Sequence, residues 1–359
     1  MDGAFFLAPT VSPAPSPSPP VADTVFAAIV ERDELSTLEE AIIAAGLANA
    51  LAFEDGTFTV FAPTNSAFDL LPEPQKTRLF TNPDYTPHLT SVLLYHVVSG
   101  QALFANDIFD ADKSLTTLYD DETLQVLATT TPPTINGNQV TTANINTENG
   151  VVHVINGVLT PNWFFRDIVD FVADNSTLSI LEELVLLVGT DFVNELRTNT
   201  TTLFAPTNDA FNALPDGVLD DLRADVDTLE QVLKYHLLGG VFMSDELSVM
   251  DANTDRLVLN TVQGRSVVFT MDPTLQINGQ DAFREIDYLM ENGVVHVIDT
   301  VLTIPAITGA PSATPSEPPT GKLLVACVLD CLLLALFCAF ALPFFLVLVY
   351  FAFSSSSNG

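Results

Sequence analysis

The chain has 359 residues, a length that fits two domains of roughly 100 to 200 residues better than one. Its 12 basic and 45 acidic residues give a formal net charge of −33, so its surface repels phosphates and we expect no nucleic-acid partner. The three cysteines, Cys327, Cys331 and Cys338, all lie near the C-terminus. This excludes a disulfide framework or a Cys/His zinc site from the rest of the chain.

Residues 1–20 are predicted to form a leader or stalk. Residues 9–20 contain six prolines in twelve residues, a composition that favours extended polyproline structure. The apolar run before them is too short for a complete secretory signal. We interpret this as an incomplete amino terminus, either a truncated gene sequence or a mature fragment, because the repeats and the C-terminal anchor favour an extracellular location.

The middle of the chain contains an internal repeat. Residues 61–72, FAPTNSAFDLLP, return at 204–215 as FAPTNDAFNALP, with nine of twelve residues identical at an offset of 143. Residues 149–159, NGVVHVINGVL, return at the same offset with nine of eleven identical. This period is longer than that of stacked solenoid repeats, so each copy is predicted to bury its own core. The two predicted domains are residues 21–160 and 161–304.

Helical patterns come first within each copy. Ser36 and Ser179 each precede a Glu by three residues, a spacing that predicts a capping box at the start of an amphipathic helix. Strands are predicted next over residues 57–61 and 201–204, ending at the Ala-Pro-Thr-Asn segment because proline cannot donate to a sheet.

The second half of each copy begins with a short helix that Asn65 or Asn208 is predicted to cap. Helical patterning resumes over residues 92–97 and 229–238 and runs into a Tyr-His pair. Alternating residues then predict a strand with Val151, His153 and Ile155 on one face. Four Asn-Gly pairs, at 136–137, 149–150, 278–279 and 292–293, predict tight turns, since both positions accept positive φ. Each domain is therefore predicted to be α+β.

Three segments follow the repeats, and the middle one is predicted to attach the protein to a membrane. Residues 305–321 form a linker rich in Pro, Ser and Thr. Residues 322–353 are predicted to be a transmembrane helix or a lipid-anchor signal, because the 23 residues from Cys331 to Phe353 carry no charge. Residues 354–359 are a polar tail.

The repeated segments resemble the signatures of the fasciclin-type domain family: TVFAPTN-AF, a Tyr-His pair and NGVVHVI-VL. Both copies carry all three, and the second departs only in having Leu203 at the Val of the first signature. The resemblance implies two tandem domains, each a compact β-sandwich or wedge of short strands with packed helices. It also implies extracellular adhesion or matrix contact and no enzymatic activity.

The resemblance further implies a ligand contact. Animal members of the family are connected with integrin binding through an Asp-Ile type motif before the Asn-Gly-Val-Val-His segment and through the Tyr-His region. By position, the acid falls on Asn144 in the first copy and on Asp287 in the second. The candidate contacts are Asp287, Tyr288, Tyr235, His236, Tyr95 and His96.

Metal and acid/base sites are the competing interpretation of the histidines. His96, His153, His236 and His296 form two repeat pairs, and imidazole can ligate zinc or transfer protons. We interpret them as neutral core residues, because they stand in apolar strands or at the end of an apolar helix. The acidic runs match no calcium-loop pattern and are interpreted as solvated surface. No metal, cofactor or catalytic residue is predicted.

Two sequons for N-glycosylation occur, at Asn175 and Asn199, both in the second copy. They agree with an extracellular location. The favoured function is a non-enzymatic cell-surface adhesion protein, anchored in the membrane, whose two outward domains bind a matrix or cell-surface protein or glycan. The alternative is a membrane protein that binds a hydrophobic small molecule, a pigment or lipid, in an apolar pocket.

Overall fold

The computed structural model describes residues 24–53, 56–119, 122–249 and 255–304. The helices of the first domain are α1 (Val25–Val30), α2 (Ser36–Ala44), α3 (Ala48–Leu51), α4 (Asn65–Asp69), α5 (Glu73–Thr81), α6 (Thr86–Tyr95) and α7 (Ala105–Ile108). Its strands are β1 (Phe58–Pro63), β2 (Val97–Ser99), β3 (Lys113–Thr116), β4 (Thr123–Leu127), β5 (Thr134–Ile135), β6 (Asn138–Thr147) and β7 (Gly150–Ile155).

The second domain repeats this order. Its helices are α8 (Ile168–Asp174), α9 (Ser179–Val188), α10 (Thr190–Thr198), α11 (Asn208–Asn212), α12 (Val218–Ala224), α13 (Val226–Tyr235) and α14 (Ser244–Leu247). Its strands are β8 (Thr201–Pro206), β9 (Leu237–Gly239), β10 (Leu257–Asn260), β11 (Ser266–Met271), β12 (Leu275–Ile277), β13 (Phe283–Met290) and β14 (Gly293–Ile298). The predicted mixture of helices and short strands is confirmed in both copies.

A pair of parallel strands lies at the centre of each domain. β1 runs parallel to β7 with Phe58 opposite Gly150, and β8 runs parallel to β14 with Thr201 opposite Gly293. Every residue of β7 and β14 is buried. Parallel strands covered on both faces have nearly continuous apolar sequences, which explains the repeated Gly-Val-Val-His-Val-Ile.

The remaining strands extend these pairs. In the first domain the order is β2-β1-β7-β6-β5-β4-β3, and in the second it is β13-β14-β8-β9 with β10-β11-β12 as a separate sheet. One apolar cluster of the first domain includes α1, α2 and α6 and continues to Trp163, Leu289 and Val294. The core of the first domain therefore extends onto residues of the second.

The predicted helix caps are wrong in both copies. α2 begins after Leu35, which has no capping side chain, and Asn65 Oδ1 accepts the Thr37 N–H at 2.9 Å instead. α4 is capped by Thr64, which accepts the N–H of Ala67 at 3.2 Å. The second copy repeats both contacts through Asn208 and Thr207. The unpaired N–H groups of a helix accept any nearby oxygen, including one that lies far away in sequence.

Helix and strand limits also differ from the predicted ones. The helices predicted over residues 92–97 and 229–238 end at Tyr95 and Tyr235, and β2 and β9 follow one residue later. β1 and β8 extend through Pro63 and Pro206, which occupy the last paired position, where a missing N–H costs least.

The Asn-Gly pairs fall into two kinds. Asn136 and Asn278 have positive φ and are followed by glycines with positive φ, as predicted for two-residue turns. Asn149 and Asn292 lie in turns with a positive φ at the glycine alone, and their side chains are almost completely buried. The prediction of simple turn chemistry is therefore wrong for this second kind.

Several predicted segments lie outside the described residues: the stalk (1–20), the linker (305–321), the transmembrane helix (322–353) and the tail (354–359). Within the described part of residues 24–304, no helix combines the length and the apolar character needed to cross a membrane.

Candidate functional site

Each His of the Tyr-His pairs terminates a helix. His96 Nδ1 donates to the Val92 carbonyl at 2.7 Å, and its Nε2 accepts the Leu159 N–H at 2.8 Å. His236 makes the same pair of bonds, with Val232 and Leu302. Burial lowers the pKa of both imidazoles from 6.5 to about 4. Both rings are therefore neutral and bonded at both nitrogens.

The tyrosines of these pairs bond to the Asn-Gly turns at 136–137 and 278–279. The Tyr95 hydroxyl donates to the Thr123 carbonyl and accepts from Asn136 Nδ2 at 2.9 Å. The Tyr235 hydroxyl donates to Ser266 and accepts from Asn278 Nδ2 at 3.3 Å. Both rings are about 96% buried. The structure thus places these four candidate contacts inside the two domains, where their polar atoms bond to the protein itself.

Asp287 lies in a bulge of β13, with φ of 65°. One carboxylate oxygen accepts the Ser244 N–H at 2.7 Å, at the start of α14, and the other bonds the Ser244 hydroxyl. The Asp287 N–H donates to Nδ1 of His296, whose Nε2 donates to the Phe242 carbonyl at 2.9 Å. Asp287 therefore links the bulge, α14 and the buried His296.

The first domain has the same arrangement around Asn144. Asn144 has φ of 62°, accepts the Ala105 N–H at 2.7 Å at the start of α7, and donates its own N–H to His153. An Asn serves the contact as well as an Asp because only an acceptor oxygen is required. The shared geometry makes this position one that fixes the bulge in both copies.

The neighbours of Asp287 on β13 are exposed. Ile286 is 47% exposed and Tyr288 is 36% exposed. The Tyr288 ring packs on Phe171 at a centroid distance of 4.9 Å, and its hydroxyl donates to Glu285 at 2.6 Å. We call these three exposed residues the β13 patch (Glu285, Ile286 and Tyr288).

A junction between the two domains is centred on His88, which the sequence did not single out. His88 is fully buried, and its Nε2 lies 2.8 Å from the Met290 carbonyl and 3.1 Å from that of Gly293. Both partners are acceptors, so Nε2 carries the proton. Burial lowers the pKa of His88 to about 4. The ring packs between Tyr85 and Trp163, with centroids at 4.5 and 5.1 Å.

Polar contacts surround this histidine. Arg78 pairs with the Glu291 carboxylate at 3.2 Å and donates to the Thr198 carbonyl at 3.3 Å. The Tyr85 hydroxyl lies 3.3 Å from Thr200 Oγ1. Residues 24–304 accordingly fall within one compact unit.

Sequence reasoning also missed the roles of Asn149 and Asn292. Asn149 accepts the Val25 N–H at 2.7 Å and donates to the Leu51 carbonyl at 2.9 Å, which ties α1 and α3 to the sheet. Asn292 makes the same contacts with Ile168 and Leu196. Their identity in both repeats was a usable signal. His88 offered none, because it has no counterpart in the second copy.

Two points from the sequence remain: the metal interpretation of the histidines, which was not favoured, and the two sequons. Over the residues that the structure describes, no group of three or more His, Cys, Asp or Glu is placed to hold a metal ion. Asn199 is exposed, while Asn175 is half-buried and accepts the hydroxyl of Thr177 at 2.7 Å.

Comparison with known proteins establishes the family. The chain belongs to the fasciclin domain family, whose sequence profile matches residues 33–161 and 179–305. It is 32% identical to human periostin over 256 residues, covering 69% of this chain and 28% of periostin. It is 28% identical to the pig transforming growth factor-beta-induced protein ig-h3 over 249 residues, covering 69% of this chain and 35% of that protein. The chain thus spans about a third of these relatives or less.

A solved structure also matches this chain. It is a FAS1 domain pair from the insect cell adhesion molecule fasciclin I, matched with a TM-score of 0.38 and 18% sequence identity. The match covers 77% of this chain and 99% of that structure.

Proposed function

We propose that the protein is a non-enzymatic adhesion protein that binds an extracellular matrix or cell-surface partner, protein or glycan, through the β13 patch. The observation that carries this proposal is the exposure of Ile286 and Tyr288 beside a bulge fixed by Asp287. Aromatic side chains on a fixed backbone bind partners at low entropic cost. Membership of the fasciclin family supports the same function.

The patch belongs to one copy only. At the offset of 143, Ala143 and Ile145 take the places of Ile286 and Tyr288. The proposed contact therefore lies in the second domain, and Asp287 acts by positioning the patch. Residues 322–353 are proposed to hold the protein at a membrane with both domains outside, so that many copies on one surface sum weak contacts into adhesion.

A bead assay tests this contact. Beads coated with the full chain are allowed to settle on decellularised extracellular matrix, and those that resist washing are counted. We expect the Ile286→Ser, Tyr288→Ala double variant to weaken attachment by about tenfold or more, as loss of a central aromatic contact does.

The control is Val258→Ser, which removes an apolar side chain that is 51% exposed on β10, outside the patch. It should leave attachment unchanged. Undiminished attachment of the double variant, with its circular dichroism spectrum intact, would contradict the proposed contact.

A further inference from the structure

The second domain contains an apolar cavity of about 180 Å³ between its helices and its sheet. Packed interiors hold few voids larger than a water molecule. Its walls come from α8, α9, α10, β8 and α13, and include Val172, Leu181, Val185, Phe192, Leu203 and Leu233.

The first domain shows that the fold does not require this volume. Its cavity at the same place measures about 50 Å³. The walls correspond, with Leu38, Ile42, Val60 and Leu93 at the positions of Leu181, Val185, Leu203 and Leu233. Phe58 also lines the smaller cavity, whereas Thr201 stands at its equivalent and does not line the larger one. The extra space is thus specific to the second copy.

The cavity opens to the surface beside α8 and α9. Ala173 and Leu186 both line it and are exposed, Leu186 to 58%. The adjacent Leu187 is 42% exposed. A molecule longer than the cavity can therefore insert one end and leave the remainder outside, against apolar side chains.

Charge on the walls selects the kind of molecule. Arg197 is bonded to Asp167 and Asp170, so its charge is already balanced. His236 has both ring nitrogens bonded within the protein. Glu182 is the other ionisable residue of the lining, and the chain as a whole carries −33. Glu182 and the net negative charge of the chain repel a carboxylate, whereas an uncharged head group is not repelled.

We propose that this cavity binds one end of an unbranched aliphatic chain with an uncharged head group, such as a fatty alcohol. A cavity of about 150 Å³ lined by Leu, Ile and Phe stays dry and admits benzene, so the present volume suits a short run of methylene groups. The site is separate from the β13 patch and does not depend on adhesion. It gives a location and a ligand class to the alternative function that the composition left open.

Calorimetric titration of the full chain with 1-octanol and with octanoate, at neutral pH, tests the proposal. We expect saturable binding of one octanol per chain and at least tenfold weaker binding of octanoate. Ala173→Leu at the mouth and Val185→Phe in the wall should each weaken octanol binding at least tenfold. Val30→Leu, at the position of the first domain that corresponds to Ala173, is the matched control and should bind as the unmodified protein does.

Three results would overturn the site: no saturable binding, undiminished binding by the folded Ala173→Leu variant, or equal binding of octanoate. Ala173 is exposed, so its replacement decides the matter even if Val185→Phe does not fold. The Ile286→Ser, Tyr288→Ala variant should retain octanol binding, which keeps failure of this site distinguishable from failure of the adhesive contact.

Discussion

At the scale of single residues, burial decides what the histidines do. His88, His96 and His236 are at least 98% buried, and each has a pKa lowered to about 4 by loss of solvation. Each donates one ring N–H to a backbone carbonyl. They are structural groups that stay neutral at physiological pH, so protonation should oppose folding.

The pH dependence of stability follows from these values. The unfolded chain binds a proton at each histidine near pH 6.5 and the folded chain only near pH 4, so stability is full above about pH 6.5 and is lost as the pH falls toward 4. Between pH 7 and pH 5, each of these histidines should lower the free energy of unfolding by about 2 kcal/mol. Urea denaturation at several pH values measures this slope.

His96→Gln supplies the control for that measurement. The variant should be less stable at pH 7, because two backbone partners lose their bonds. Its stability should also fall less steeply between pH 7 and pH 5, by about 2 kcal/mol. An unchanged slope would show that His96 titrates normally in the folded protein.

At the scale of elements, each of the two parallel strand pairs depends on one glycine. Gly150 and Gly293 have φ of 154°, and a Cβ on them would lie 2.0 Å from the Phe58 carbonyl oxygen and 1.8 Å from that of Thr201. These are contacts with backbone of the paired strand, which cannot move without breaking the sheet.

Replacing either glycine with alanine should therefore destabilise its domain by at least about 3 kcal/mol. Gly46→Ala is the comparison, because Gly46 has φ of 71° but nothing within 4 Å of the added atom, and it should cost about 1 kcal/mol. Thermal unfolding of the three variants gives the ranking. Equal losses at Gly150 and Gly46 would contradict the role of the close strand approach.

The elements also show how far a sequence can be interpreted. The repeated Gly-Val-Val-His-Val-Ile predicted a strand, and it forms one, because its apolar pattern is local. The cap of α2 was not predictable, since its acceptor is Asn65, nearly thirty residues away. The sequence predicted Asp287 and the Tyr-His pairs as ligand contacts. In the structure, Asp287 and both histidines form hydrogen bonds with the protein's own backbone. Contacts between distant segments are invisible to local pattern.

At the scale of the whole molecule, the repeat predicted two domains but not their junction. His88, Arg78 and Tyr85 of the first domain contact Gly293, Glu291 and Thr200 of the second. These contacts join one copy to the other and do not recur within either copy. Comparing the two repeated sequences therefore could not reveal them. The junction gives the β13 patch a fixed position relative to the first domain, which lowers the entropic cost of the contact proposed for it.

Both domains are proposed to work outside the cell, and the location of the tagged full-length protein in its native cell tests this proposal. Intact cells are treated with protease, and the same sample is digested with a glycosidase. We expect the domains to be cleaved from outside, and a glycosidase mobility shift that the Asn175→Gln, Asn199→Gln variant lacks. A protected protein without glycans would contradict the extracellular location and remove the basis for the proposed adhesion.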